Sequence, residues 1–325
     1  MDLWTLSDLA TPWSFHVAAT LRIANHIDAG HTAIADLAAA AKADPEYLGI
    51  VLRHLVAKGL FEEPQPGVFA LNDVARGLLG DVTGFDLDAF GGRMAHAWGT
   101  LLSAVRTGKP AYHEAFGRPY WEDLAANPKI SASFDELMSY AGHGTPDPNV
   151  LLNASDWPNV KTVVDVGGGT GALLAEILRA QPHTKGTLVD LPHVVARSRP
   201  IFEAAGVADR AKTSGQSFFD PLPAGADLYT IKSVLNDWPD DEARAILKRC
   251  AEAARRSDGT SGRVVAFAQA GPGERADPDL LMLVLVGGKA RSTDDLRELG
   301  RQAGLKMTAA GHQASGKALA EFVPA

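Results

Sequence analysis

The segment Val163-Val164-Asp165-Val166-Gly167-Gly168-Gly169-Thr170-Gly171 constrains this chain more than any other. A short apolar run ends in a turn where four of five residues are glycine, and residues 172–180 then read as a helix. Glycine accepts positive φ and leaves no Cβ in the way. Such a turn between strand and helix brings backbone N–H groups close to a ligand. Gly167, Gly169 and Ala172 also fit G-x-G-x-x-A, which by itself is a weak dinucleotide pattern. Two details point away from a pyrophosphate. Asp165 sits two residues before Gly167, where a carboxylate repels phosphate and attracts the ammonium of an amino-acid moiety. Gly168 and Gly171 add small residues where a compact ligand is gripped.

The turn sits inside a strand–helix alternation. Apolar runs at residues 163–166, 187–190, 227–234 and 263–268, and a short one near 211–214, alternate with helical stretches at 172–180, 194–205 and 240–255. That alternation predicts a parallel sheet covered by helices on both faces. The first hundred residues read differently. Residues 9–27 carry apolar positions at helical spacing. Thr32 is a candidate N-cap for a helix to 43. Asp44-Pro45 opens a third helix through 58. Residues 60–63 and 68–71 then form a hairpin around a turn at 64–67. Helices followed by a small hairpin are the pattern of a winged helix. Residues 87–149 read as helices with loops at 107–110 and 142–148. The expected division is therefore 1–100 winged helix, 101–150 helical linker or lid, and 151–325 α/β domain.

Composition restricts the partners. The 325 residues hold 39 Asp and Glu against 31 Lys and Arg, a formal net charge of −8. Binding to a phosphate backbone normally needs a basic surface. Arg53, His54 and Lys58 on the third helix are offset by Glu46, Glu62 and Glu63, so the winged helix reads as a dimerising scaffold rather than a DNA reader. One cysteine, Cys250, excludes an internal disulfide framework. Ten histidines without a paired acidic cluster give no metal site. Met1-Asp2-Leu3-Trp4 lacks the basic start of a signal peptide, and the apolar run at 280–286 is too short to span a bilayer. The expectation is a cytoplasmic homodimer with no nucleic-acid or membrane partner.

The segments Ala18-Ala19-Thr20-Leu21-Arg22, Leu52-Arg53-His54-Leu55-Val56-Ala57, Gly117-Arg118-Pro119-Tyr120-Trp121-Glu122-Asp123-Leu124, Ser133-Phe134-Asp135, the glycine turn, Phe218-Phe219-Asp220-Pro221-Leu222-Pro223, Asp237-Trp238-Pro239-Asp240 and Gly287-Gly288-Lys289 run through most of the chain. Together they resemble the S-adenosylmethionine-dependent small-molecule O-methyltransferases related to the caffeate and hydroxyindole enzymes. The likeness is greatest to the bacterial anthracycline-tailoring branch, with carminomycin 4-O-methyltransferase and aclacinomycin 10-hydroxylase. The resemblance implies a Rossmann-like, seven-stranded α/β methyltransferase domain behind an all-α, winged-helix dimerisation domain. It implies that Asp165 and Gly167, with Gly169 in the same loop, hold the methionine end of S-adenosylmethionine, and that Asp190 holds the ribose. Phe218 and Trp238 lie against the adenine, and Lys232 contacts the cofactor. Ser217 stands where many relatives carry an acid for the adenine amino group, and accepts a hydrogen bond more weakly than a carboxylate.

The resemblance also marks a departure. Plant-type members use the histidine of a His-Asp-Trp motif as general base; here the motif is Asn236-Asp237-Trp238. Ala268 and Gln269 stand where the family's supporting acid falls. An amide orients a substrate but takes no proton at neutral pH. The expected activity is therefore methyl transfer, most readily to oxygen, on an aromatic polyketide or similar phenol, driven by proximity, with Asn236 and Asp237 at the catalytic position. The alternative is a cofactor-binding relative that moves no methyl and acts as a hydroxylase, decarboxylase or cyclase. A DNA-binding regulator is a third reading. Tyr140, His143 and Met282 are candidate substrate contacts.

Overall fold

The computed structural model describes residues 2–138, 145–267, 277–313 and 317–325, with only the backbone at 277–279. The chain divides into two compact units, residues 1–96 with 127–134, and residues 97–126 with 135–325. No helix among the described residues is long and apolar enough to cross a membrane.

The first unit is built from helices Ala10–Thr20, Ile23–Asp28, Ile34–Ala41 and Pro45–Ala57, then strands β1 (Glu62–Gln65) and β2 (Val68–Ala70). The apolar stripe predicts one helix over 9–27; two form instead. Arg22 takes the left-handed conformation, φ 54°, and caps the second. The break lets Ile23 and Ala24 bury beside Ala18 and Ala19 in one core, so a single stripe continues across two helices. Asp44 caps the fourth helix as expected, its carboxylate accepting the Glu46 and Tyr47 amides at 2.9 and 3.0 Å. Thr32 does not cap the third; Ala33 occupies that position. The Thr32 carbonyl instead accepts the Phe69 amide at 2.8 Å, and the Ile34 amide donates to Gly67 at 2.9 Å, tying the hairpin to the helix entry. Two side chains of the would-be recognition helix and its end, His54 and Lys58, are engaged within the unit. His54 Nε2 meets Thr11 Oγ1 at 2.9 Å and Lys58 Nζ donates to Asp8 at 2.9 Å.

The second unit holds a seven-stranded sheet in the order β5-β4-β3-β6-β7-β9-β8. The strands are β3 (Thr162–Val166), β4 (Lys185–Asp190), β5 (Ala211–Gly215), β6 (Leu228–Ile231), β7 (Arg263–Phe267), β8 (Leu305–His312) and β9 (Ala318–Pro324). Pairing is parallel from β5 to β7; β9 runs antiparallel to both β7 and β8. This antiparallel pair lies beyond the parallel alternation read from the sequence. Its sign is visible afterwards: β8 alternates buried and open residues along its length. The stretch 194–205, expected as one helix, forms two, Pro192–Val195 and Arg199–Ala204. Pro200 has no N–H to continue a helix from 196 and its ring fits only a first turn. Helices Ala172–Ala180 and Asp240–Ala254 match their sequence boundaries within a residue, and both bury an apolar face on the sheet.

Strand order reverses between β3 and β6. Ligands in open α/β sheets bind outside the carboxyl ends of strands at such a point.

Candidate functional site

The glycine turn leaves β3 at that reversal. Gly167, Gly169 and Gly171 have φ of 65°, 60° and 90°, which only glycine adopts readily. The Gly167 amide donates to the Val189 carbonyl at 2.8 Å, and the Gly169 amide to Asp190 Oδ2 at 2.8 Å. The loop is thus laced to the end of β4. Space is as restrictive as angle. A Cβ on Gly168 would lie 2.4 Å from Asp165 Oδ2, and one on Gly167 2.6 Å from Val234 Cγ2.

Asp165 is 1% exposed. Its Oδ1 accepts a hydrogen bond from Thr230 Oγ1 at 2.7 Å, across the β3–β6 register. Its Oδ2 is buried with no partner. Burial pushes its carboxyl up to about 6, against the Thr230 bond and the nearby Lys232 charge. A carboxylate so placed suits a cation. Asp190 is raised too, by burial, although its oxygens accept the Gly169 and Leu191 amides. Lys232 follows β6 and is lowered, first by burial and then by Lys317, with Asp165 acting the other way.

Aromatic rings gather on the other side of the turn. The Phe218 ring lies 3.4 Å from where a Gly167 Cβ would stand. Trp238 meets Phe218 and Phe219 edge-on, centroids 5.9 and 5.0 Å apart, and stacks with Trp121 at 6.0 Å. Ser217 Oγ accepts the Phe219 amide at 3.2 Å, so part of its acceptor capacity already closes a turn.

Residues 235–237 form a single helical turn after β6. Within it Asn236 Nδ2 donates to Asp237 Oδ1 at 2.6 Å. The amide is oriented by that carboxylate, which takes its nitrogen and leaves its oxygen as the acceptor. Burial alone raises Asp237 to about 7. Tyr120 is buried, and its phenol is pushed well up by burial and then by the Asp237 charge.

The structure thus brings Asp165, Gly167, Gly169, Asp190, Lys232, Phe218, Trp238, Asn236 and Asp237 to the carboxyl ends of β3, β4 and β6. Met282 lies part-buried on helix Asp277–Leu285, which packs on helix Leu101–Thr107. Tyr140, His143, Ala268 and Gln269 lie outside the described residues. Thr230 and Arg291 are additions. Thr230 becomes evident only once β3 and β6 are paired. Arg291 reads in sequence as one more loop charge, yet it is 2% exposed.

Residues 4–81 match the O-methyltransferase dimerisation domain and residues 98–306 the O-methyltransferase domain. The chain is 43% identical over 317 residues to the 2,7-dihydroxy-5-methyl-1-naphthoate 7-O-methyltransferase of Streptomyces carzinostaticus, covering 95% of this chain and 94% of that one. It is 37% identical to aclacinomycin 10-hydroxylase RdmB of Streptomyces purpurascens, over 94% of this chain and 84% of the relative. Among solved structures, the O-methyltransferase NcsB1 from neocarzinostatin biosynthesis, in complex with S-adenosylmethionine and 2-hydroxy-5-methyl naphthoic acid, superposes with a TM-score of 0.89 at 41% identity, covering 100% of this chain and 99% of that one. The glycine turn, the buried aspartate beside it and the full-length match lead to one conclusion: the chain belongs to the S-adenosylmethionine-dependent O-methyltransferase family and carries that family's dimerisation domain.

Proposed function

We propose that this protein transfers the methyl group of S-adenosylmethionine to a hydroxyl of a small aromatic natural product. The observation that carries the reading is Asp165, a buried carboxylate with one partnerless oxygen at the mouth of the glycine turn. Asp165, Gly167 and Gly169 would hold the amino-acid end of the cofactor and Asp190 its ribose. Ser217, Phe218 and Trp238 would hold the adenine, and Lys232 would add a contact. Bound there, the cofactor supplies a methyl on a sulfonium, open to in-line displacement.

The chain's own contribution is alignment. Asn236 presents its amide oxygen, because its nitrogen is held by Asp237. An acceptor hydroxyl donating to that oxygen has its lone pair turned elsewhere, toward the methyl; as the methyl is gained and S-adenosylhomocysteine is left, the hydroxyl's proton passes to solvent, because the amide does not take it. Holding two reactants in line is itself a large part of such catalysis. Substrates named for the relatives, a naphthoate and a hydroxylated naphthoic acid, are phenols of this kind. A second reading, cofactor binding without methyl transfer, draws on Asn236, which is no base, and on the hydroxylase relative. Tyr140, His143 and Met282 are proposed to face the substrate. The helices of 101–150 are proposed to cover it, between a winged helix of 1–100 and a cofactor domain of 151–325. The first unit is proposed to pair two copies in the cytoplasm rather than to read DNA; the −8 charge and the engaged His54 and Lys58 support this.

Calorimetry with S-adenosylmethionine and NADH, then product mass after incubation with phenols, tests the reading. It expects S-adenosylmethionine to bind and a single methyl to be gained. Products that are hydroxylated or decarboxylated without a methyl would establish the second reading. NADH binding alone would sink both.

A further inference from the structure

We propose that Arg291 is the positioning residue of the Asn236-Asp237-Trp238 turn, gripping both its ends and so fixing where the Asn236 amide stands. The proposal rests on the methyl-transfer reading above for its effect on rate, but not for its geometry. Arg291 Nη1 donates to the Leu235 carbonyl, and Nη2 donates to the Trp238 carbonyl at 2.8 Å. Those two carbonyls flank Asn236 and Asp237. Nη2 also meets Asp240 Oδ1 at 2.7 Å, while Asp240 Oδ2 accepts from Lys289 at 2.8 Å. Asp240 is the first residue of helix Asp240–Ala254, so the turn is anchored to a long element. Gly288, from the same segment as Arg291, approaches the turn's backbone. A Cβ there would stand 2.0 Å from the Asn236 carbonyl oxygen and 2.7 Å from the Asp237 carbonyl carbon.

Stability alone does not ask for this arrangement. Burying a guanidinium is costly, and Asp240, its charged partner, is half-exposed, which weakens the attraction that would offset that cost. Here the cost is compounded by a buried Arg291 Nε with no partner. What only arginine supplies is a rigid planar fork able to span two carbonyls at a fixed separation; lysine is a point donor. Inside the turn, the Asp237 amide donates to Val234 at 3.0 Å and the Trp238 amide to Leu235 at 3.4 Å. These two amides report on the turn without any ligand.

The test compares wild type, Arg291→Lys, Arg291→Met and Asp240→Asn. Hydrogen exchange of ligand-free protein is read at residues 235–238, and kcat and KM are read separately with a phenolic acceptor. In Arg291→Lys, exchange of the Asp237 and Trp238 amides should rise about tenfold or more while the sheet amides hold. Its kcat should fall about 10- to 100-fold, the scale of an ångström of misplacement. KM for the cofactor should rise by a smaller factor than kcat falls, since the turn reaches the cofactor only through Trp238 and acts mainly on the reacting geometry. Arg291→Met should lose at least as much, with partial recovery in added guanidinium. If that variant does not fold, Asp240→Asn, which keeps an acceptor but removes the charge, should give a smaller loss of the same kind. Wild-type exchange and kcat in both Arg291→Lys and Asp240→Asn would overturn the proposal. So would a kcat loss that only tracks the folded fraction. If wild type moves no methyl at all, the functional reading fails while exchange still decides the positioning role.

Discussion

Asp165, buried, and Asp237, part-buried, are two carboxylates with different expected tasks. For Asp165 the ionised form is the useful one, since it faces a cation. With its carboxyl at about 6, cofactor affinity should climb between pH 5 and 7 and then level off. Asp165→Asn should weaken S-adenosylmethionine about 10- to 100-fold, the value of a hydrogen bond to a charged group, and flatten that pH profile. Calorimetry across the range checks both. Asp237 is raised to about 7 by burial. Below its ordinary carboxylate range both folded and unfolded chains hold the proton, and the native state is not penalised. Above 3.8 the unfolded chain ionises while the native group holds its proton up to about 7, so stability falls through that window and levels off above it. Asp237→Asn removes that loss: its melting temperature relative to wild type should rise between pH 5 and pH 8. Methyl transfer should fall in the same variant, because a neutral amide oxygen accepts the Asn236 bond more weakly than a carboxylate does. Asp165, Asp190, Asn236 and Trp238 were legible in the sequence because each stands at a fixed offset from a glycine turn or a short motif. Thr230 and Arg291 were not. Each meets its partners across more than fifty residues, and no local pattern encodes that pairing.

At the scale of elements, the glycine turn works by what is missing from it. Gly168→Ala places a methyl against Asp165 Oδ2 and Leu188 Cδ1, at 2.4 and 2.6 Å. Neither neighbour sits in loose surroundings. The substitution should cost about 1–3 kcal/mol, as overpacked positions do, and should abolish measurable cofactor binding while the far-ultraviolet spectrum is retained. Thermal melting and calorimetry on one preparation separate the two effects. The parallel strands and their helices were readable because apolar runs and glycine punctuation repeat in step. The breaks at Arg22 and before Pro200 were harder, since an apolar stripe continues across them. The antiparallel β8 and β9 were missed although β8 alternates, because Ala310 on its exposed side and Ala309 and Gly311 on the other blur the contrast in polarity.

For the whole molecule, the first unit exposes Leu3, Trp4, Leu6 and Leu9, with Trp4 87% exposed. Apolar residues gathered in this way mark an interaction surface. With the dimerisation-domain match, light scattering should return twice the chain's mass, and Trp4→Glu should shift the balance toward monomer without unfolding the second unit.

The bound cofactor should give up its methyl to an aromatic hydroxyl aligned by Asn236. Incubation with S-adenosylmethionine labelled in the methyl group, and with a hydroxylated naphthoic acid, follows that methyl. One labelled methyl should appear on the acceptor oxygen for each S-adenosylhomocysteine formed, with transfer reduced in Asp165→Asn and Asp237→Asn. Tight cofactor binding with the label left on the cofactor, while the acceptor is hydroxylated or decarboxylated, would contradict methyl transfer.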